Sequence, residues 1–94
     1  MNRRLAAPVG ITGTGQCFPP RVVTNDDLSK IMETNDEWIR TRTGIRERRW
    51  VEPGTGASQL GAPALQMALD NRGIKASELD LILVTTVTPD TLFP

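Results

Sequence analysis

Asp80–Thr88, DLILVTTVT, is the segment that most narrows the folds open to this chain. Its aliphatic and β-branched side chains fall on both alternating faces, so Leu79–Val87 reads as a strand buried on both sides. Such a strand needs neighbouring strands and covering helices, which points to an α/β architecture. Yet the sequence ends shortly after it, at Pro94. The expectation is therefore an incomplete piece of a larger α/β chain.

The remaining elements follow from punctuation. Val9–Phe18, VGITGTGQCF, reads as a first strand, with Gly13 and Gly15 marking a bulge or a close backbone approach, and Pro19 and Pro20 ending it. Thr24 can cap a helix with Asp27 three residues on, and Leu28, Ile31 and Met32 would form its apolar stripe. Thr34 and Glu37 fit a second capping box, and Gly44 can close that helix in the left-handed conformation. Ile45–Val51 reads as a short strand. Ser58–Arg72 reads as a helix stopped by Gly73, with Leu65, Ala68 and Leu69 on its buried stripe; Pro63 either begins it or kinks it. The order strand, helix, helix, short strand, helix, strand contains a crossover suited to parallel strands.

Composition removes several functions. Basic and acidic side chains number eleven each, so there is no global pull towards nucleic acid or anionic lipid. No apolar run is long enough to span a bilayer, and no secretory leader is evident. Histidine is absent, which removes the commonest general base and the commonest metal ligand from these residues; no metal-binding spacing is present. The single cysteine, Cys17, cannot form an internal disulfide, so a reducing, cytoplasmic setting is expected. With no histidine to activate it, Cys17 reads as an inert thiol and not as a nucleophile.

Local charge is more informative. Arg40, Arg42, Arg46, Arg48 and Arg49 crowd the run TNDEWIRTRTGIRERRW, Thr34–Trp50, with no lysine among them. Solvated pairs with Glu37, Glu47 and Glu52 would account for them, and so would a bound anion, because arginine meets phosphate in a two-pronged planar contact. On a helix, Thr34, Trp38 and Arg42 are spaced i, i+4, i+8 and share one face. An aromatic plane with a guanidinium one turn away suits a flat ring joined to phosphates, a nucleotide or a nucleotide-tailed coenzyme. The structural alternative is that Thr34 caps, Trp38 packs in the core and Arg42 answers the helix dipole. The two readings can coexist.

These segments resemble a known family. TNDEWIRTRTGIRERR is similar to the hallmark N-terminal motif of β-ketoacyl-acyl-carrier-protein synthase III. GTGQCFPPRVVTNDDL resembles that family's opening strand and turn, and LDLILVTTVTPDTLFP the strand and loop before its catalytic region. The likeness runs from about Ile11 to Pro94.

The resemblance implies a thiolase-type fold of two similar α/β halves, with residues 1–94 holding the early part of the first, in a homodimer. It implies a decarboxylative Claisen condensation that joins an acyl-coenzyme A primer to malonyl-acyl carrier protein and starts a fatty acid. Coenzyme A thioester is then a substrate, and no tightly bound cofactor is expected. The family's catalytic Cys, His and Asn lie beyond Pro94, so residues 1–94 alone are expected to be inactive. The motif residue that stacks on adenine maps to Trp38, its companion on the same base to Thr34, and the phosphate-binding arginine to Arg42. Phe93 maps to a residue lining the partner subunit's acyl pocket. Pro63, Arg49 and Trp50 depart from the usual pattern. Related enzymes of secondary metabolism share these motifs, and a non-catalytic α/β module binding phosphate or nucleic acid is the alternative from another class.

Overall fold

The computed structural model describes residues 8–92. Phe93 therefore lies outside the described residues. The elements are β1 (Arg21–Thr24), α1 (Asn25–Ser29), α2 (Asp36–Thr43), β2 (Glu47–Trp50) and α3 (Ala57–Arg72), followed by a 3-10 turn at Ala76–Glu78. They fall into two compact units. One comprises Phe18–Gly56; the other comprises the described residues up to Cys17 together with those from Ala57 on.

In the unit Phe18–Gly56, β1 and β2 pair antiparallel, in the register Arg21↔Trp50, Val22↔Arg49, Val23↔Arg48 and Thr24↔Glu47. The sequence order had suggested parallel strands joined by a crossover. The observed pair is instead a short ribbon closed by α1 and α2, and β1 was not anticipated after Pro19 and Pro20. Val23 and Ile39 form the apolar core. Thr24 caps α1 as expected: its Oγ1 accepts from the Asp27 amide at 3.1 Å, and Asp27 Oδ2 accepts from the Thr24 amide at 2.9 Å. The helix stops at Ser29, however, so Ile31 and Met32 do not extend an apolar stripe and stand exposed.

Asn25 is the organising polar residue, only 1% exposed. Its Nδ2 donates to Asp36 Oδ1 at 2.9 Å and to the Ile45 carbonyl at 2.8 Å, while its Oδ1 accepts from an Arg48 guanidinium nitrogen at 2.8 Å. Its backbone amide donates to the Arg46 carbonyl at 3.1 Å. One side chain thus joins α1, the start of α2 and β2. Both amide hydrogens and the carbonyl oxygen of the side chain thus have partners, as burial of an amide requires.

In the other unit, α3 runs from Ala57 to Arg72 with Pro63 in its interior, so the proline does not begin the helix. Gly73, at φ 81°, ends it, and its amide donates to the Leu69 carbonyl at 2.8 Å. Of the expected stripe, Leu69 is buried, whereas Leu65 is exposed. Residues 8–17 form no strand but approach α3 closely. A Cβ at Gly13 or Gly15 would collide with the backbone carbonyl of Ala68 or Ala64, and Asn71 Nδ2 donates to the Thr14 carbonyl at 2.7 Å. The close approach read from the glycines is present without the strand. Asp90 accepts from both the amide and the hydroxyl of Ser58 at the start of α3.

Leu79–Val87 is not a strand, which corrects the expectation that opened the sequence reading. Leu81, Leu83, Val84 and Val87 are exposed, Val87 to 98%. A strand exists only through hydrogen bonds to a neighbour, and among the described residues the two strands pair with each other. High β-propensity without a partner leaves a solvent-facing segment with no strand pairing.

Candidate functional site

α2 presents the residues singled out by spacing. Its N-cap is Asn35, whose Oδ1 accepts from the Trp38 amide at 2.8 Å. Thr34 is therefore not the cap, and the Thr34–Glu37 capping box does not form. Asparagine caps at least as well as threonine, and it starts the helix one residue later. Asp36 and Glu37 occupy the first turn, and Arg40 and Arg42 the last, in accord with the dipole. Gly44 closes the helix at φ 75°, its amide donating to the Arg40 carbonyl at 2.8 Å.

Ile39 points into the core and fixes which face of α2 turns outward. Trp38 lies on that outer face, 53% exposed, which is far from the sealed position of a core tryptophan. The Arg42 guanidinium carbon sits 4.9 Å from the centroid of the Trp38 ring. The pair is one turn apart, as i, i+4 geometry demands, and within the range of cation–π attraction. Beside them a cavity of about 340 Å³ is lined by Met32, Glu33, Thr34, Asn35 and Trp38. Thr34 thus meets Trp38 across a concavity and not as a neighbour on one helical face. Arg42 does not line it. Trp38 and Arg42 are brought together as an open indole with a cation over it, and half-buried Thr34 shares only the cavity with Trp38.

Arg40, Arg48, Arg49 and Arg21 have partners of their own. Arg40 Nε pairs with Asp36 Oδ2 at 3.3 Å. Arg48 donates to Asn25 and, at 3.2 Å, to the Val23 carbonyl. Arg49 donates to the Pro19 carbonyl at 3.1 Å, and Arg21 lies 5.5 Å from the Trp50 ring. The expected glutamate pairs are replaced: the ion pairs among the described residues, Arg40–Asp36 and Lys30–Asp27, use aspartates. Asp36 is held below its ordinary pKa of 3.8, chiefly by the Asn25 hydrogen bond and secondarily by Arg40. Asn25 was missed by sequence reasoning. Its signal was a lone amide directly after the capping Thr24, with no periodicity to mark it.

No protein-family model matches the chain. Individual proteins do. The β-ketoacyl-[acyl-carrier-protein] synthase III 1 of Bacillus cereus is 56% identical over 86 residues, covering 92% of this chain and 28% of that protein. The synthase III of Caldanaerobacter subterraneus is 48% identical over 94 residues, covering 100% of this chain and 28% of its own length. Among solved structures, 3-oxoacyl-[acyl-carrier-protein] synthase III from Aquifex aeolicus superposes with a TM-score of 0.82 at 46% identity, covering 89% of this chain and 27% of that one. The chain is thus similar to β-ketoacyl-acyl-carrier-protein synthase III proteins over nearly all of its own length.

The synthase III-like segment spans just over a quarter of the length of those relatives. Its backbone is part of the thiolase-like α/β fold that they share. The priming β-ketosynthase of the R1128 polyketide pathway is also similar, with a TM-score of 0.70 at 34% identity, covering 84% of this chain and 25% of that one. No helix among the described residues is long and apolar enough to cross a membrane, and no group of acidic, cysteine or histidine side chains there is placed to hold a metal.

Proposed function

We propose that residues 1–94 are the N-terminal part of a thiolase-like condensing enzyme, and that they supply its grip on coenzyme A. The observation that carries this reading is the exposed Trp38 indole with Arg42 at 4.9 Å and the Thr34-lined cavity beside it. An indole face held open to solvent costs hydrophobic burial, which a stacking ligand would restore. Adenine offers the flat ring and its phosphates the anion. Thr34 would hydrogen-bond the base, Trp38 stack on it, and Arg42 take phosphate in the planar contact that suits guanidinium.

The proposed reaction loads an acyl group from coenzyme A onto a cysteine thiolate, with the coenzyme's thiolate leaving. Malonyl-acyl carrier protein then loses CO2, its carbanion attacks the acyl carbonyl, a C–C bond forms and the cysteine thiolate departs. Cys17, in a chain segment without histidine, is not that nucleophile. In the family reading the enzyme is a cytoplasmic homodimer that uses no tightly bound cofactor, and Phe93 lines the acyl pocket of the second copy. Similarity to the R1128 priming ketosynthase favours one variant, a starter-unit condensation in secondary metabolism. The higher identity to the synthase III relatives favours fatty-acid initiation.

Calorimetric titration of the chain with coenzyme A and with inorganic phosphate tests the site. Stacking contributes about 1–3 kcal/mol per base, so Trp38→Ala should weaken coenzyme A roughly tenfold while leaving phosphate unchanged. Equal coenzyme A affinity in Trp38→Ala would remove the basis of the proposal.

A further inference from the structure

We infer that Leu81–Thr86 is a pairing edge for the same segment of a second copy of this chain, the two lying antiparallel about a twofold axis. The inference is independent of the nucleotide-binding reading and concerns the 94-residue chain itself.

The segment is apolar on both sides and uncovered. LILVTTVT, Leu81–Thr88, holds no charged residue and no proline. Leu81, Leu83 and Val87 alternate with Ile82 and Val84, so a strand formed here would be apolar on either side. Leu83 is 82% exposed and Val84 75%. Ile82 and Val84 line a cavity of about 550 Å³ with Ala62 and Leu65 of α3, yet both stay exposed, so α3 does not cover them. Among the described residues, the backbone groups of Leu81–Thr85 take part in no hydrogen bond. Open backbone donors and acceptors beside aliphatic and β-branched side chains are a template for another strand.

The ends of the segment are tied down. The Leu79 amide donates to the Ala76 carbonyl at 3.1 Å, and Asp90 accepts from the amide and the hydroxyl of Ser58. Anchored ends lower the cost of ordering the segment when it pairs. The Thr88 amide donates to the Thr86 hydroxyl at 3.1 Å, a local bond that competes with any ladder beyond position 86. The part left free, Leu81–Thr86, has the length of an ordinary strand.

Chemistry selects the partner, and charge selects its direction. A polar strand would lose water against Leu81 and Leu83 without repayment. A second copy brings the same uncharged, two-sided surface. In parallel register Asp80 would face Asp80 and Asp90 would face Asp90, and like charges directly opposite destabilise a sheet. Antiparallel pairing sets Leu81 opposite Thr86, Ile82 opposite Thr85 and Leu83 opposite Val84. Each Asp80 then faces Val87 of the second copy. The contact is self-complementary, so it closes at two copies.

Sedimentation velocity of the 94-residue chain over a wide range of concentration tests the pairing. A monomer–dimer equilibrium is expected, and the amides of Leu81–Thr86 should exchange with solvent more slowly as the dimer fills. Leu83→Lys and Thr85→Pro should each weaken the dimer roughly tenfold or more, since a twofold axis counts each change twice. Both positions are exposed and their amides are unbonded within the chain, so circular dichroism of the monomer should not change. Asp80→Asn separates the two directions: it leaves an antiparallel pair unaltered and tightens a parallel one. A chain that is monomeric at every concentration, a dimer indifferent to either Leu83→Lys or Thr85→Pro, a dimer tightened by Asp80→Asn, or assembly that grows past two copies overturns the inference. None of these outcomes bears on the Trp38 site.

Discussion

Asn25 Nδ2 donates to Asp36 Oδ1 at 2.9 Å, tying the first residue of α1 to the first residue of α2. The helix that carries Trp38 and Arg42 is therefore set in place by an amide eleven residues earlier in the chain. Because Asn25 also holds the Ile45 carbonyl and Arg48, it fixes α2 against β2 as well.

Asn25→Ala should be among the most damaging single changes in the unit Phe18–Gly56. It removes three side-chain hydrogen bonds and leaves their partners to find water at a nearly dry site. The expected loss is about 2–3 kcal/mol, read as a lower urea midpoint with an unchanged slope. A midpoint equal to that of the parent chain would mean that the network is not holding α2.

Acid should unfold the chain through its aspartates. Asp27 is held below its ordinary value by the Thr24 backbone and hydroxyl, Asp36 by Asn25 and then Arg40, and Asp90 by the Ser58 hydroxyl and amide. A carboxylate with a depressed folded pKa contributes stability that is present above its unfolded value of 3.8 and is lost as pH falls through the folded value. Denaturation midpoints should hold steady from neutrality to about pH 5 and then fall steeply below about pH 4. Asp36→Asn, which keeps an acceptor for Asn25, should shallow that fall.

Two glycines should respond in opposite directions. Gly61 lies within α3 with open space around its missing Cβ, so Gly61→Ala should stabilise by about 0.5–1 kcal/mol through the unfolded chain's lost freedom. Gly15→Ala drives a Cβ into the Ala64 carbonyl and should destabilise by about 1–3 kcal/mol. Paired urea titrations distinguish the two, and a stabilising Gly15→Ala would contradict the close approach of residues 8–17 to α3.

Arg42→Ala should separate charge from stacking. With the indole retained, coenzyme A should bind more weakly, and the remaining affinity should respond less to ionic strength, because a phosphate contact has been removed. Titrations at two salt concentrations measure this. An unchanged salt response would take Arg42 out of the phosphate site.

The 94-residue polypeptide by itself should form no β-ketoacyl product from acyl-coenzyme A and malonyl-acyl carrier protein, since it contains no histidine and its one cysteine stands without an activating base. Product formation by the purified chain would overturn the assignment of the chemistry to residues beyond Pro94.

Signals that act within a turn or two were legible in the chain. Thr24 with Asp27, Gly44 and Gly73 mark helix ends because caps satisfy amides and carbonyls three or four residues away. The i, i+4 relation of Trp38 to Arg42 was equally readable, since helical pitch alone brings them together. The choice between Thr34 and Asn35 as cap was not, because adjacent residues both suited the role and only the entry of the chain into α2 selected one.

What the sequence determined by itself is thus local: where helices begin and end, and that an indole and a guanidinium stand one turn apart. Tertiary structure decided the rest, namely which side of α2 faces water, that Asn25 binds three distant residues, that β1 and β2 pair with each other, and that Leu79–Val87 remains unpaired. The physical reason is that capping and helical spacing are settled by bonds between near neighbours. Burial and strand pairing depend on partners whose positions no short window of sequence contains.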